Sequence, residues 1–292
     1  MEENIFQKGC LVQLTMSKWG GIKQIKKNTL AEMVVNADHT WVTASKKLVE
    51  PASLKPICKI ANAARASLNA VSLPFPISGM VFIPKDLINS IDEDLQGFQS
   101  NFNLAVDEFS MDYDNLRRDA EECLGDLFNE IDYPVDIKSK FNFNWRFLIL
   151  DVPNGNTRLL APEVYAREEA KFIETMEDAR RMATEALREE FATMVEHISE
   201  RFSNSGIKPK IFKSSTVDSF YDYFQTFKER NIFEDDQLSE LVKQAQMILD
   251  GTSTEEIRSN GDLKETIRTG MVGIESAIVD VFKRPRRRII MD

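Results

Sequence analysis

The sequence has little cysteine, little histidine and no long apolar run, and each shortage closes off a class of protein. Three cysteines, Cys10, Cys58 and Cys123, are an odd set without CxxC spacing. A disulfide scaffold is therefore not expected, and a reducing cytoplasm is. Two histidines, His39 and His197, stand without HExxH spacing or a cysteine at ligand distance, so no metal site is expected. Nowhere do about 18 apolar residues run together, and no membrane span is expected. The opening "MEENIFQKG" is acidic and lacks an apolar stretch, unlike a signal peptide. Phosphate-binding glycine motifs are missing too. Gly20–Gly21 has Lys23 close by but no second glycine and no GK[ST], so the pair reads as a turn at a strand end and no nucleotide cofactor is expected. No GxSxG elbow is present, and "DEDLQG" lacks the frame of a calcium loop. No catalytic, cofactor-binding or metal-ligating residue is assigned, and the chain is expected not to be an enzyme.

What is present is helical periodicity. With 42% hydrophobic and 29% charged residues, the chain can build a core. Residues 9–19 alternate as a strand. Pro56 is expected near the start of a helix through "ICKIANAARASLNAV". "SLPFPISGMVFIP" reads as a structured connector. From Ile88 the apolar residues step by three and four through Ile91, Leu95, Phe98, Phe102, Ala105, Phe109, Tyr113, Leu116, Ala120, Cys123 and Leu127, the seam of one long helix. Alternating aromatics predict a strand at 141–151. Pro162 opens a second long helix whose seam runs Ile173, Met176, Ala179, Ala183, Leu187, Phe191, Met194, Ile198 and Phe202. Helices over 215–231, 235–250 and 261–282 follow.

The expected fold is mostly α with a minor β element: a long antiparallel helical hairpin on a small mixed base, plus a C-terminal helical segment. The expected divisions are a base over 1–83, the hairpin with its strand over 84–205, helices over 206–282 and a basic tail over 283–292. In that arrangement Phe102 and Phe109 meet Leu187 or Phe191. The helical stripes are core, or an interface for a homo-oligomer where one side is left uncovered.

The net charge of -10 makes the chain a poor general binder of nucleic acid or anionic membrane. Two basic stretches stand against it. Trp19 with Lys23, Lys26 and Lys27 forms one candidate contact for an acidic partner. Lys283, Arg284, Arg286, Arg287 and Arg288 form another, suited to weak, salt-sensitive attachment to acidic protein or nucleic acid. A solvated turn and a solubilising tail are the plainer readings.

Three stretches, in order, resemble a known family. They are the strand into "LTMSKWGG" with its basic turn, "KKLVEPASLKPICKIANAARASL" with Arg65 at its centre, and "PFPISGMVFIPKD". Over roughly residues 10–150 the chain is similar to the domain-of-unknown-function family three-one-five-zero, with the family's usual glycine pair reduced here to Gly79. Members are encoded in phages and integrative elements, near MoxR-type AAA+ ATPases and von Willebrand A or cobaltochelatase-like proteins. The resemblance implies an accessory role beside such an ATPase, as a helical interaction or assembly protein. A nucleic-acid-associated factor and an enzyme with a dispersed site are the alternatives.

Overall fold

The computed structural model describes residues 5–26, 28–29, 41–150, 161–202, 215–252, 256–257 and 260–282. The helices among them are α1 (Pro51–Val71), α2 (Ile88–Leu124), α3 (Pro162–Phe202), α4 (Ser215–Arg230), α5 (Asp236–Leu249) and α6 (Gly261–Phe282). The strands are β1 (Gly9–Ser17), β2 (Ile22–Gln24), β3 (Ser45–Lys47), β4 (Leu73–Pro74), β5 (Val81–Pro84) and β6 (Asn142–Leu148). The protein is mostly α with a minor β element. The chain forms two compact units, both discontinuous in sequence. The first takes Met1–Leu11, Val71–Leu87 and Ile149–Asp292, and the second takes Val12–Ala70 and Ile88–Leu148.

The second unit is built around α2. Its three-four spacing buries Ile91, Leu95, Phe102, Ala105, Phe109, Tyr113 and Ala120, as the sequence predicts, whereas Cys123 is exposed one residue before the helix ends. The aromatic face is covered by the segment that leads into β6. Phe102 lies 5.5 Å from Phe143 and 6.5 Å from Phe141, and Phe109 lies 5.8 Å from Phe141. Trp145 Nε1 donates to Asp92 Oδ1 at 2.8 Å, and Gln99 Nε2 donates to the Phe143 carbonyl at 2.7 Å. The expected partners Leu187 and Phe191 are therefore corrected to Phe141 and Phe143. Alternating aromatics on a strand offer the same apolar cover as a second helix. Helix α1 begins at Pro51, not near Pro56. Proline is well suited to the first helical position, and Pro56 forfeits a single early backbone bond. Leu54, Ile57, Ala61, Ala64 and Leu68 form the buried face of α1.

In the first unit, β4 and β5 form an antiparallel hairpin, with Leu73 opposite Phe82 and Pro74 opposite Val81. The sequence pattern alone predicts a connector here. Pro74 fits because β4 is the terminal strand of its sheet, where a missing N–H breaks no ladder. Next to β5 runs the start of β1. A Cβ on Gly9 would sit 2.1 Å from the Ile83 carbonyl oxygen, so only glycine permits that approach. Helix α3 packs along α6 and also meets β4 and α4; α6 packs on α5. Its buried face runs Ala179, Ala183, Leu187, Phe191, Val195 and Ile198, while Ile173, expected in the same seam, is exposed. Phe191 stacks on Tyr223 at 5.9 Å and meets Phe220 edge-on at 6.4 Å. Gly270 lets α6 close on α5, since a Cβ there would lie 2.7 Å from Ile248 Cδ1.

Candidate interaction site

In the second unit the basic stretch after β1 is tied into the fold. Trp19 is half-buried against α2, with its ring 5.8 Å from Tyr113 and 6.2 Å from Phe109. Gly21 adopts φ +60 and is buried, and a Cβ there would lie 3.0 Å from Leu54 Cδ1 and 3.1 Å from Val49 Cγ2. Its carbonyl accepts from Leu48 N at 2.7 Å. Gly21 is required by its backbone and its packing, whereas a Cβ on Gly20 would meet open space. Beyond it β2 pairs antiparallel with β3, placing Lys23 directly opposite Lys46. Like charges facing each other across strands repel. Asp132 answers them: Oδ2 is 2.7 Å from Lys46 Nζ, and Oδ1 is 3.9 Å from Lys23 Nζ. Lys46 also donates to the Leu127 carbonyl at 2.5 Å. Lys46 and Asp132 are nearly enclosed, whereas Lys23 is mostly exposed and Lys26 is exposed. Lys27, Lys283, Arg284, Arg286, Arg287 and Arg288 lie outside the described residues.

The first unit carries a larger feature that the residue pattern did not reveal. Two ion pairs fix the turn between α4 and α5 onto α3. Arg230 is 4% exposed and binds Glu190 with both nitrogens of its fork, at 2.6 and 3.2 Å. Arg188 Nε donates to Asp235 Oδ2 at 2.6 Å. Asp235 also caps α5 by accepting from Leu238 N at 3.1 Å. Burial alone would raise the Asp235 pKa, but the Arg188 guanidinium and the helix N–H groups outweigh it and hold the carboxyl below its ordinary value. Asn231 joins the turn to α5 through Ser239 Oγ at 3.0 Å, and Arg180 lies 5.6 Å over the Phe233 ring. Tyr223 donates to the Leu187 carbonyl at 3.2 Å, and burial pushes its phenol well above the ordinary range.

Beside this braced turn lies an open cleft of about 870 Å³. Phe224, Phe227 and Val242 supply its apolar lining. Its charged residues are Lys8, Lys85, Lys228 and Lys243 with Asp86, Glu229, Glu234 and Asp236. Lys8 Nζ donates to the Ile232 carbonyl at 3.0 Å. A neighbouring hollow along the same two helices adds Tyr221, Gln225 and Met247, of which Met247 is 71% exposed. The sequence pattern gives the two helices here, over 215–231 and 235–250, but not the cleft along them. Glu229 and Glu234 look like ordinary surface acids until the fold puts them beside the same apolar lining.

Among the described residues, no group of three or more histidine, cysteine or acidic side chains is placed to hold a metal ion. No helix among them is long and apolar enough to cross a membrane. No curated protein and no solved structure matches the chain. Residues 6–201 match a family described as "Protein of unknown function (DUF3150)", and the match ends within α3, before the helices that wall the cleft. A match over more than half the sequence, carrying the Trp19 turn, α1 and the whole of α2, means that the chain belongs to the DUF3150 family.

Proposed function

We propose that this protein is a helical adaptor that acts by holding a segment of a partner protein, not by catalysing a reaction. The cleft along α4 and α5 is the observation that supports this reading. A lining that sets Phe224, Phe227 and Val242 among side chains of both charge signs suits an amphipathic segment, whose apolar residues meet the first and whose polar residues meet the second. Met247 extends the apolar surface with a side chain that adapts to varied shapes. For the partner, the family resemblance favours a MoxR-type AAA+ ATPase or its von Willebrand A companion, in a phage or integrative element. The test is to mix the purified chain with that ATPase. Co-elution and a change in ATP turnover are expected, both lost in the double variant Lys243→Glu/Met247→Glu, whose two side chains are exposed. Neither co-elution nor altered turnover would defeat the ATPase assignment. A second reading, a nucleic-acid-associated factor, rests on five positive charges within residues 283–288 of a chain with net charge -10.

A further inference from the structure

We infer that the segment held in the cleft presents one basic side chain, a lysine ammonium or an arginine guanidinium, to Glu229. This rests on the adaptor reading and specifies its ligand. Glu229 lines the cleft, and its Oε2 is enclosed without a hydrogen-bond partner among the described residues. Two other acids differ: Glu190 on α3 is bound by the Arg230 fork, and Asp235 on the adjoining turn by Arg188 and the α5 cap. An enclosed carboxylate oxygen without a donor is unfavourable, and a cation that enters and shifts the side chains covering it relieves it. Glu234, on the same cleft, holds φ +55 without being glycine, and it is the one such residue among those described. Non-glycine residues in that conformation tend to mark functional sites.

The cleft is far larger than one side chain, so the base arrives on a peptide whose neighbouring apolar residues cover Phe224, Phe227 and Val242. Four lysines also line the cleft. They disfavour a run of positive charge, so a single basic residue on a separate protein fits better than this chain's own "KRPRRR".

Panning a random twelve-residue phage-displayed peptide library on the full chain, with counter-selection on Lys243→Glu/Met247→Glu, tests this. Recovered peptides are expected to share one Lys or Arg between apolar residues. In fluorescence polarisation they should bind Glu229→Gln at least tenfold more weakly. Oε2 has no partner to lose, so that variant should melt like the parent, and the library composition is read on the unaltered chain in any case. Peptides that need the cleft but share no basic position, or that bind Glu229→Gln equally well, overturn the assignment of Glu229 while leaving the adaptor reading standing. Recovery of no peptide that distinguishes the two proteins overturns the adaptor reading itself. Displacement of the selected peptides by a synthetic 283–292 peptide would make the occupant the chain's own segment and overturn the separate partner.

Discussion

At Gly21 the backbone and the packing make the same demand. The left-handed φ costs any L side chain on the order of 1 kcal/mol, and the contacts with Leu54 and Val49 add to it. Gly21→Ala should lower stability by about 1–2 kcal/mol, read as a shift in the urea midpoint, whereas Gly20→Ala, with open space around its Cβ position, should cost much less. Equal effects would show that the turn tolerates a side chain at either position. Tyr133 poses a different problem. Its hydroxyl is buried without a hydrogen-bond partner among the described residues, and burial, with the nearby Tyr113 and Asp132, pushes its pKa up to about 12 against the opposing pull of Arg117. A folded-state pKa above the unfolded value of 10 means that the stabilisation is complete below pH 10 and is lost as the pH climbs towards 12. Ultraviolet titration of the tyrosines should contain a phenol near pH 12 that disappears in Tyr133→Phe. That variant should be no less stable than the parent at pH 7, because no hydrogen bond is removed.

The joint between α4 and α5 shows what an element boundary can carry. Asp235 both caps α5 and binds Arg188, so Asp235→Ala should cost about 2 kcal/mol at neutral pH. The depressed carboxyl contributes stability above its ordinary value of 3.8 and loses it as the pH falls through the lower folded-state value. The gap between parent and variant in denaturant midpoints should therefore narrow below pH 3.8, and a gap that stays constant into acid would assign the effect to packing. The same cap explains why α5 was legible in sequence: expected over 235–250, it runs Asp236–Leu249, between Asp235 and a left-handed Gly251. Periodicity likewise located α2, α3 and α6, because three-four spacing is a property of one stretch of chain. It could not name the partner of Phe102. An apolar stripe states that it needs cover, and strand aromatics 39 and 41 residues further on supply it as well as a helix would. The β4–β5 hairpin is hidden by its prolines: Pro74 is harmless on the outer strand β4, and Pro84 is the last residue of β5. Among the candidate contacts, Lys23 was recognisable as a basic turn residue. Its relation to Lys46 and Asp132 depends on a strand pairing and a distant 3₁₀ turn that local pattern does not encode.

On the scale of the whole molecule, charge is unevenly spread. Deleting 283–292 removes five positive side chains and Asp292, taking the net charge from -10 to -14. Any binding to DNA in the intact protein should weaken steeply with added salt and be largely lost in the deletion, measured by filter retention at two ionic strengths. Binding that survives the deletion would move the contact to the lysines near β2. The discontinuous division of the chain carries a further consequence, one of time. As the polypeptide leaves the ribosome, every residue of the second unit is available once position 148 has emerged, but the first unit still lacks Ile149–Asp292. At roughly 5–20 residues per second, that interval lasts on the order of ten seconds. Throughout it Leu73, Phe82 and Ile83 wait for α3 and α4, the helices that contact β4 and β5. The nascent chain thus offers a bare apolar hairpin while the second unit is already complete, and that hairpin is where a ribosome-bound chaperone would take hold.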